Sequence, residues 1–367
     1  MIDPRVARWA ETLVRYSLNL QPGQTLSIQA PPNAAPLVKE VYRFALRAGV
    51  NPAVQLRLPE LTEILMAEAS EAQLQWMSPL ETLVMEDFDA TLTVLAEENT
   101  RALSHIDPQR QVLFAKGRAA LNETFMRRNG NDSLNWSVTL WPTNAYAQEA
   151  DMSLTDFTEF VYSACFLNEA DPVARWRQLG REQQRLVDWL RDKREVHVRA
   201  PGTDLHVGIA GRPFINGDGK RNFPDGEFFT SPIEDQVEGH VTFTLPATYA
   251  GRSVEGVRLR FEHGVVVEAT ATQGQAFLEQ MLASDDGARR LGEFAFGNNS
   301  GVTHGSKNIL FDEKLGGSVH MALGRAYPQA GGSNISAIHW DMICDLRQGG
   351  EGWVDGTLMS KDGTFLV

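Results

Sequence analysis

Residues 196–209, VHVRAPGTDLHVGI, alternate apolar with polar side chains on both sides of a glycine-containing turn. A period of two is typical of β-strands that have one face in a core and the other in solvent. The pattern recurs in EGHVTFTL (238–245), VEGVRLRFEHGVVVEATA (254–271) and SVHMAL (318–323). From about residue 196 onward, the chain is therefore predicted to be antiparallel and rich in β-structure.

The sequence before residue 196 alternates helical and strand-like segments instead. Such an alternation predicts parallel strands joined by helical crossovers. We therefore expect an N-terminal α/β domain with a mostly parallel sheet at residues 1–195, followed by a β-rich (α+β) C-terminal domain at residues 196–367. The predicted helices are 4–19, 35–48, 62–76, 110–121, 153–165 and 172–194, with another that begins at residue 284 or 285, and the predicted strands of the first domain are 26–29, 53–56, 90–95 and 137–140.

Charge and composition exclude several classes of protein. Lysine plus arginine number 34 and aspartate plus glutamate 47, a formal net charge of -13 that lacks the basic surface of nucleic-acid binders. An acidic balance favours cations, including metal ions and protonated amino termini, although it also serves solubility alone. The two cysteines, Cys165 and Cys344, are far apart, and no apolar run approaches the ~18 residues of a membrane span. We therefore expect a cytoplasmic protein with neither nucleic-acid nor membrane partners.

His339 and Asp341 occupy alternate positions of SAIHWDMICD (336–345). In a strand such side chains lie on one face, about 6.5–7 Å apart, and can hold one ion or a close pair of ions. A buried, hydrogen-bonded His-Asp pair is the more common explanation for such a segment taken alone. Other acidic and imidazole groups are needed to favour a metal site.

Three further segments supply such groups in apolar surroundings. Glu227 follows a Pro-Asp-Gly turn in NFPDGEFF (222–229), and Glu293 lies between apolar neighbours in ARRLGEFAFG (288–297). Unpaired buried charge is costly, and metal coordination is a common way to compensate for it. Carboxylate and imidazole ligands without thiolates favour Zn, Co, Mn or Mg. The segment FDEKLGGSVHMALGRAYP (311–328) adds Asp312, Glu313, His320 and Tyr327, each of which could also be structural when considered alone.

NFPDGEFFTSP (222–232), ARRLGEFAFG, KNILFDEKLGGSVHMALGRAYP (307–328) and SAIHWDMICD together resemble the thermophilic aminopeptidase family of dinuclear metallopeptidases. The resemblance implies a catalytic C-terminal domain with two divalent metal ions, and a homodimer that admits small peptides. It also implies that Tyr327 is catalytic and that Glu313 lies at or next to the site. The metal ligands that it implies are Glu227, Glu293, His320, His339 and Asp341.

The function expected from this resemblance is removal of N-terminal residues from peptides by water activated at a dinuclear metal site. Glu293 would bridge the ions, and either Glu293 or Glu313 would carry the proton to the leaving amine, while Tyr327 would stabilise the oxyanion. Two alternatives remain open. One is a metal-dependent hydrolase of other amides or esters, and the other is a non-enzymatic small-ligand binding protein with a structural metal site.

Overall fold

The computed structural model describes residues 3–249 and 251–367. Within these ranges the chain forms two compact units. The first comprises the chain up to Val173 together with Gly219–Phe223, and the second comprises Ala174–Asp218 and Pro224–Val367. The helices are α1 (Pro4–Thr12), α2 (Ala35–Arg47), α3 (Pro59–Glu68), α4 (Glu71–Gln75), α5 (Pro79–Asp87), α6 (Pro108–Gly117), α7 (Ala119–Gly130), α8 (Asn144–Glu149), α9 (Leu154–Ala164), α10 (Pro172–Leu190), α11 (Gln275–Leu282) and α12 (Ile309–Asp312).

The strands supply one parallel sheet and two main antiparallel sheets. In chain order they are β1 (Thr25–Ala30), β2 (Asn51–Leu56), β3 (Ala90–Leu95), β4 (Asn135–Leu140), β5 (Glu195–Ala200), β6 (Thr203–Gly208), β7 (Ile215–Gly217), β8 (Asn222–Phe223), β9 (Glu227–Thr230), β10 (Val237–Thr242), β11 (Ala247–Tyr249), β12 (Arg252–Val254), β13 (Arg258–Glu262), β14 (Val265–Thr270), β15 (Leu291–Gly297), β16 (Ser318–Gly324), β17 (His339–Asp345), β18 (Glu351–Val354), β19 (Thr357–Lys361) and β20 (Thr364–Phe365).

The first unit is built on the parallel sheet, whose strand order is β2-β1-β3-β4-β8. Every pair of neighbours in it is parallel, from β1 with β2 and β3 to β4 with β8. Helix α1 begins where the Asp3 carboxylate accepts the backbone N–H of Arg5, and it buries Val6, Trp9 and Ala10. On the central strand β1, Leu26 is fully buried. The predicted α/β fold class of the N-terminal part is confirmed.

The second unit contains the two main antiparallel sheets. The large antiparallel sheet has the order β14-β13-β10-β6-β5-β18-β19-β20, and the small antiparallel sheet has the order β17-β16-β15-β9-β7. Val198 and Leu205 of the large sheet and Phe294 and Met321 of the small sheet belong to one hydrophobic core. One face of each sheet is therefore used for packing, and the other face is left for polar side chains. The predicted β-rich second part is confirmed.

The unit boundary differs from the predicted domain limit at residue 195. Helix α10 lies almost entirely in the second unit, because Leu186 and Leu190 pack in the same core as Val196 of β5. Its amphipathic pattern predicts a helix but does not specify which sheet covers its apolar face.

Two predicted helices are divided in the structure, and a third is missing. The helix predicted at 62–76 is divided into α3 and α4, since Ser70 begins a new helix with a capping box to Gln73. The helix predicted at 110–121 is likewise divided at Arg118, where α6 ends and α7 follows. No helix begins at residue 284 or 285. The Asp285 carboxylate instead accepts the backbone N–H groups of Gly287 and Ala337, and the helix of this region, α11, comes earlier.

Among the described residues, no helix is both long enough and apolar enough to cross a membrane.

Candidate metal centre

The polar face of the small antiparallel sheet carries the five predicted metal ligands. Glu227 is on β9, Glu293 on β15, His320 on β16, and both His339 and Asp341 are on β17. These four strands are consecutive neighbours in the sheet. Residues at alternate positions point to the opposite face, where they are buried in the core, among them Phe228, Phe294, Phe296, Met321, Trp340 and Met342.

Small residues stand directly opposite these functional side chains in the strand register. Gly297 faces Glu227, Ala295 faces His320, and Gly324 faces His339. Ala322 faces Glu293 on one side and Asp341 on the other. Because opposed side chains on one face of a sheet lie about 4.5–5.5 Å apart, an alanine or glycine at each of these positions leaves room beside the carboxylates and imidazoles.

Glu293 lies at the centre of the group that we call the central cluster, which consists of Glu227, Glu293, His320, His339 and Asp341. Its Oε1 lies 3.7 Å from Nε2 of His320, and its Oε2 lies 3.2 Å from Nε2 of His339. Each oxygen of this carboxylate therefore faces a different imidazole. Nε2 of His320 is also 3.1 Å from Oε2 of Glu227, and Nε2 of His339 is 3.6 Å from Oδ1 of Asp341.

These side chains form two overlapping groups that have the spacing of metal ligands. One group contains Glu227, Glu293 and His320, and the other contains Glu293, His339 and Asp341. Within each group the potential ligand atoms all lie within 4.8 Å of one another. Glu293 belongs to both groups, so the structure brings all five predicted ligands together around one shared carboxylate.

Several buried polar atoms of the central cluster form no well-aligned hydrogen bond with the described residues, even where another atom of the cluster lies close. They are Oε2 of Glu227, both ring nitrogens of His320, and Oδ1 of Asp341. Glu227 is 6% exposed and His320 is 0% exposed, so solvent does not readily satisfy them. A buried polar atom without a partner is expensive, and coordinated cations would satisfy Oε2 of Glu227, Nε2 of His320 and Oδ1 of Asp341. The donor set, carboxylate oxygens and imidazole nitrogens, fits a divalent metal ion.

The backbone fixes which nitrogen of His339 faces the cluster. Nδ1 of His339 lies 2.8 Å from the carbonyl oxygen of Arg325, a distance at which the ring N–H donates to that oxygen. In the neutral imidazole, Nε2 then carries the lone pair and faces Glu293. Such an outer hydrogen bond is the usual device that orients a histidine ligand.

Lys314 was not predicted from the sequence, yet it is completely buried beside the central cluster. Its ammonium group lies 2.6 Å from Oε1 of Glu227, contacts Oε1 of Glu313, and lies 3.8 Å from Asp225. The only sequence signal was a lysine inside the apolar segment KNILFDEKLGG. A lysine in such a segment is ordinarily interpreted as an exposed side chain.

Glu313 and Tyr327, which the family resemblance implies to be at or next to the site, also lie at the cluster. A ligand atom of Glu313 lies within 4.8 Å of His320 and Asp341. The Tyr327 hydroxyl is 3.4 Å from Nε2 of His339, and its ring packs against that imidazole with a centroid distance of 4.9 Å.

Burial and neighbouring charges have opposite effects on the pKa of several groups in this region, and their balance raises the pKa of each group described below. Burial raises the pKa of Glu227 even though the Lys314 ammonium lowers it, and burial also raises the pKa of Asp341. For His320, burial lowers the pKa but the carboxylates of Glu227 and Glu293 outweigh it and raise the value to about 9. Burial raises the pKa of the Tyr327 hydroxyl far above its usual value. The tyrosine therefore remains a hydrogen-bond donor at neutral pH.

The family model described as "Thermophilic metalloprotease (M29)" matches residues 2–365. The chain belongs to this family. The predicted family resemblance is thus confirmed, and so is the predicted enzyme class, a metallo-aminopeptidase.

Several known proteins are similar to this M29 chain over most of its length. Aminopeptidase 2 of Geobacillus stearothermophilus is 33% identical over 352 residues, which cover 89% of this chain and 84% of that protein. Aminopeptidase T of Thermus thermophilus is 29% identical over 393 residues, which cover 97% of this chain and 94% of that protein. The solved structure of wild-type AmpT from Thermus thermophilus superimposes with a TM-score of 0.86 at 26% identity and covers 100% of both chains.

Proposed function

We propose that this M29 enzyme removes single residues from the N-terminus of peptides with two divalent metal ions held by the central cluster. The observation that carries the proposal is the position of Glu293, whose two carboxylate oxygens face the imidazoles of two different ligand groups. A carboxylate shared in this way suits a site that would hold two divalent ions. Specificity for the N-terminus is supported by the names of the similar proteins, which are aminopeptidases.

The residues that would hold the ions are the five members of the central cluster. Glu227 and His320 would hold one ion, His339 and Asp341 the other, and Glu293 both. Zn, Co, Mn or Mg fits these oxygen and nitrogen donors. When bound, such ions lower the pKa of water toward neutrality and polarise the scissile carbonyl.

The protein's own side chains would handle the proton and the developing charge. Both oxygens of Glu293 face imidazoles, whereas Glu313 has one oxygen on Lys314 and lies beside His320 and Asp341. Glu313 is therefore the better placed carboxylate to accept a proton from the attacking water and to deliver it to the leaving amine. The Tyr327 hydroxyl would donate a hydrogen bond to the oxyanion.

A substrate panel tests this function. The purified enzyme should hydrolyse aminoacyl amides and short peptides, lose this activity to a strong chelator, and regain it with Zn, Co, Mn or Mg. N-acetylated versions of the same compounds should be poor substrates. Equal turnover of free and acetylated compounds would favour a general amide or ester hydrolase, and metal-dependent folding without any turnover would favour a binding protein.

We further propose that the enzyme is a cytoplasmic homodimer that admits small peptides. The dimer and its restricted access are supported by the family resemblance alone. The compartment is supported by the sequence, which contains only two cysteines, far apart in the chain and outside any CxxC spacing. Sedimentation equilibrium of the purified protein tests the dimer, and cell fractionation tests the compartment.

A further inference from the structure

The polar face of the large antiparallel sheet carries a second group of potential metal ligands. It is formed by the β5–β6 hairpin, where His197 and His206 are direct cross-strand partners. Their imidazole rings stack with a centroid distance of 3.8 Å and an interplanar angle of 16°. The hairpin therefore places two potential imidazole ligands side by side on one face of the sheet.

A carboxylate from the same hairpin completes the group. Oδ1 of Asp204 is 2.7 Å from Nε2 of His197 and 3.9 Å from Nε2 of His206. One ligand atom each from His197, Asp204 and His206 lies within 4.8 Å of the other two. We call these three residues the hairpin cluster.

Glu195 orients one of the two imidazoles. Its Oε1 lies 3.0 Å from Nδ1 of His206, which can therefore donate its N–H to the carboxylate. Nε2 of His206 then keeps its lone pair on the side of Asp204. A carboxylate on the outer nitrogen of a histidine is the common arrangement at metal sites, where it fixes the tautomer and raises the basicity of the ligand.

The backbone beneath the hairpin cluster is rigid. The ladder between β5 and β6 runs from the pair of Glu195 with Gly208 to the pair of Ala200 with Thr203, and β18 and β10 extend the sheet on either side. The alternate residues of the hairpin, Val196, Val198, Leu205 and Val207, are all 0% exposed in the core. The backbone of the three ligands is thus fixed before an ion arrives, which lowers the entropic cost of binding, and only the stacked imidazoles must rotate to direct both Nε2 atoms at one ion.

The hairpin cluster is also open to solvent. The side chains of Asp204 and His206 are 52% and 43% exposed, and that of His197 is 16% exposed. An ion could therefore enter directly and complete its tetrahedral shell with water.

We propose that the hairpin cluster binds one divalent transition-metal ion of the zinc type, through Nε2 of His197, Nε2 of His206 and a carboxylate oxygen of Asp204. This site is separate from the central cluster, which lies on the other antiparallel sheet, and it does not depend on the proposed peptidase function. Its ion would join two neighbouring strands and stabilise the hairpin.

A zinc-binding count tests the proposal directly. The full-length protein is stripped with a chelator, dialysed against zinc in excess of all its proposed sites, freed of unbound zinc, and analysed for bound metal. The double variant His197→Gln/His206→Gln should retain about one equivalent less than the wild type and keep its peptidase activity. His105→Gln is the matched control, because His105 is likewise an exposed histidine near a carboxylate, 3.8 Å from Glu63. Equal zinc content in the wild type and the double variant would overturn the proposal.

A second measurement needs no variant. Diethyl pyrocarbonate modifies accessible histidines, and mass spectrometry reports the modification at each position. Zinc should protect His206 in the wild type by about tenfold or more, as expected when a ligand nitrogen is occupied, while His105 remains equally reactive. Unchanged modification of His206 in the presence of zinc would contradict the site.

Discussion

At the scale of single residues, Tyr327 lies beside the central cluster, and its hydroxyl stays protonated. Burial raises its pKa, and the hydroxyl lies 3.4 Å from Nε2 of His339. A donor that acts on the oxyanion contributes mainly in the transition state. Tyr327→Phe should therefore lower kcat by about 10²–10³ with little change in KM, which is the effect of losing one oxyanion-hole donor. Steady-state kinetics with metal content measured on the same sample checks this.

Tyr146→Phe is the control for this variant. The Tyr146 hydroxyl is also buried, but it accepts the backbone N–H of Glu97 in the first unit. Its loss should alter stability modestly and leave kcat within a few-fold. If Tyr327→Phe behaved in the same way, Tyr327 would be a packing residue.

Lys314 compensates the buried carboxylates of Glu227 and Glu313, and it is itself 0% exposed. Removing one partner of a buried ion pair leaves the other charge uncompensated, at a cost of about 3–5 kcal/mol. Lys314→Met should lower the free energy of unfolding by about that amount, as measured by urea titration of the metal-free protein. Added metal should recover part of the loss, because a cation near Glu227 replaces some of the missing positive charge.

Lys361 offers a matched surface comparison. Its ammonium lies 3.4 Å from Glu351, and the lysine side chain is 53% exposed. An exposed pair contributes about 0–1 kcal/mol, so Lys361→Met should change the unfolding free energy little. Comparable losses in the two variants would show that Lys314 does not act through buried charge.

At the scale of elements, the small side chains between the ligands are as necessary to the site as the ligands. Ala322 on β16 is fully buried and faces both Glu293 and Asp341. Ala322→Leu would place a bulky side chain between these carboxylates. We expect metal affinity and activity to fall by about 10–100-fold, the usual cost of disturbing the surroundings of metal ligands. Metal titration of the refolded variant measures this.

Met321→Leu tests the other face of the same strand. Met321 lies in the core, and a volume-conserving change there costs less than about 1.5 kcal/mol. Metal affinity should remain that of the wild type. If the Met321 variant lost metal as strongly as Ala322→Leu, the effect would come from the strand as a whole and not from the polar face.

The elements also show what the sequence could and could not predict. Strand alternation correctly placed His339 and Asp341 on one face, because side-chain direction in a strand is a local property. The order β17-β16-β15-β9 was not predictable from alternation, since pairing between segments far apart in the chain depends on tertiary packing. Lys314 was missed for the same reason, because its burial depends on carboxylates brought to it by other segments.

Helix boundaries have a similar limit. The pattern of residues 62–76 predicts one helix, whereas α3 ends at Glu68 and the Ser70 capping box begins α4. The box is visible in the sequence as Ser70 followed three positions later by Gln73. The capping box alone would have predicted a helix start at Ser70, but the longer helical pattern across it favoured one continuous helix.

At the scale of the whole molecule, the proposed ligands all come from the second unit, which includes Pro224–Val367. The first unit has its own parallel sheet and contributes none of the five. A bound ligand stabilises the part of a protein whose local unfolding would release it. The metal ions should therefore stabilise the second unit far more than the first.

Hydrogen exchange with and without a chelator measures this difference. After metal removal, amides of β9, β15, β16 and β17 should exchange faster, because the carboxylates of the central cluster then repel one another and the cluster opens to water. Amides of β1, β3 and β4 should keep their rates. The hairpin β5–β6 is compared separately, since zinc bound at the hairpin cluster would protect it independently. Equal acceleration in the parallel sheet and in the small antiparallel sheet would mean that metal acts on global stability, and no acceleration anywhere would place the ions outside the central cluster.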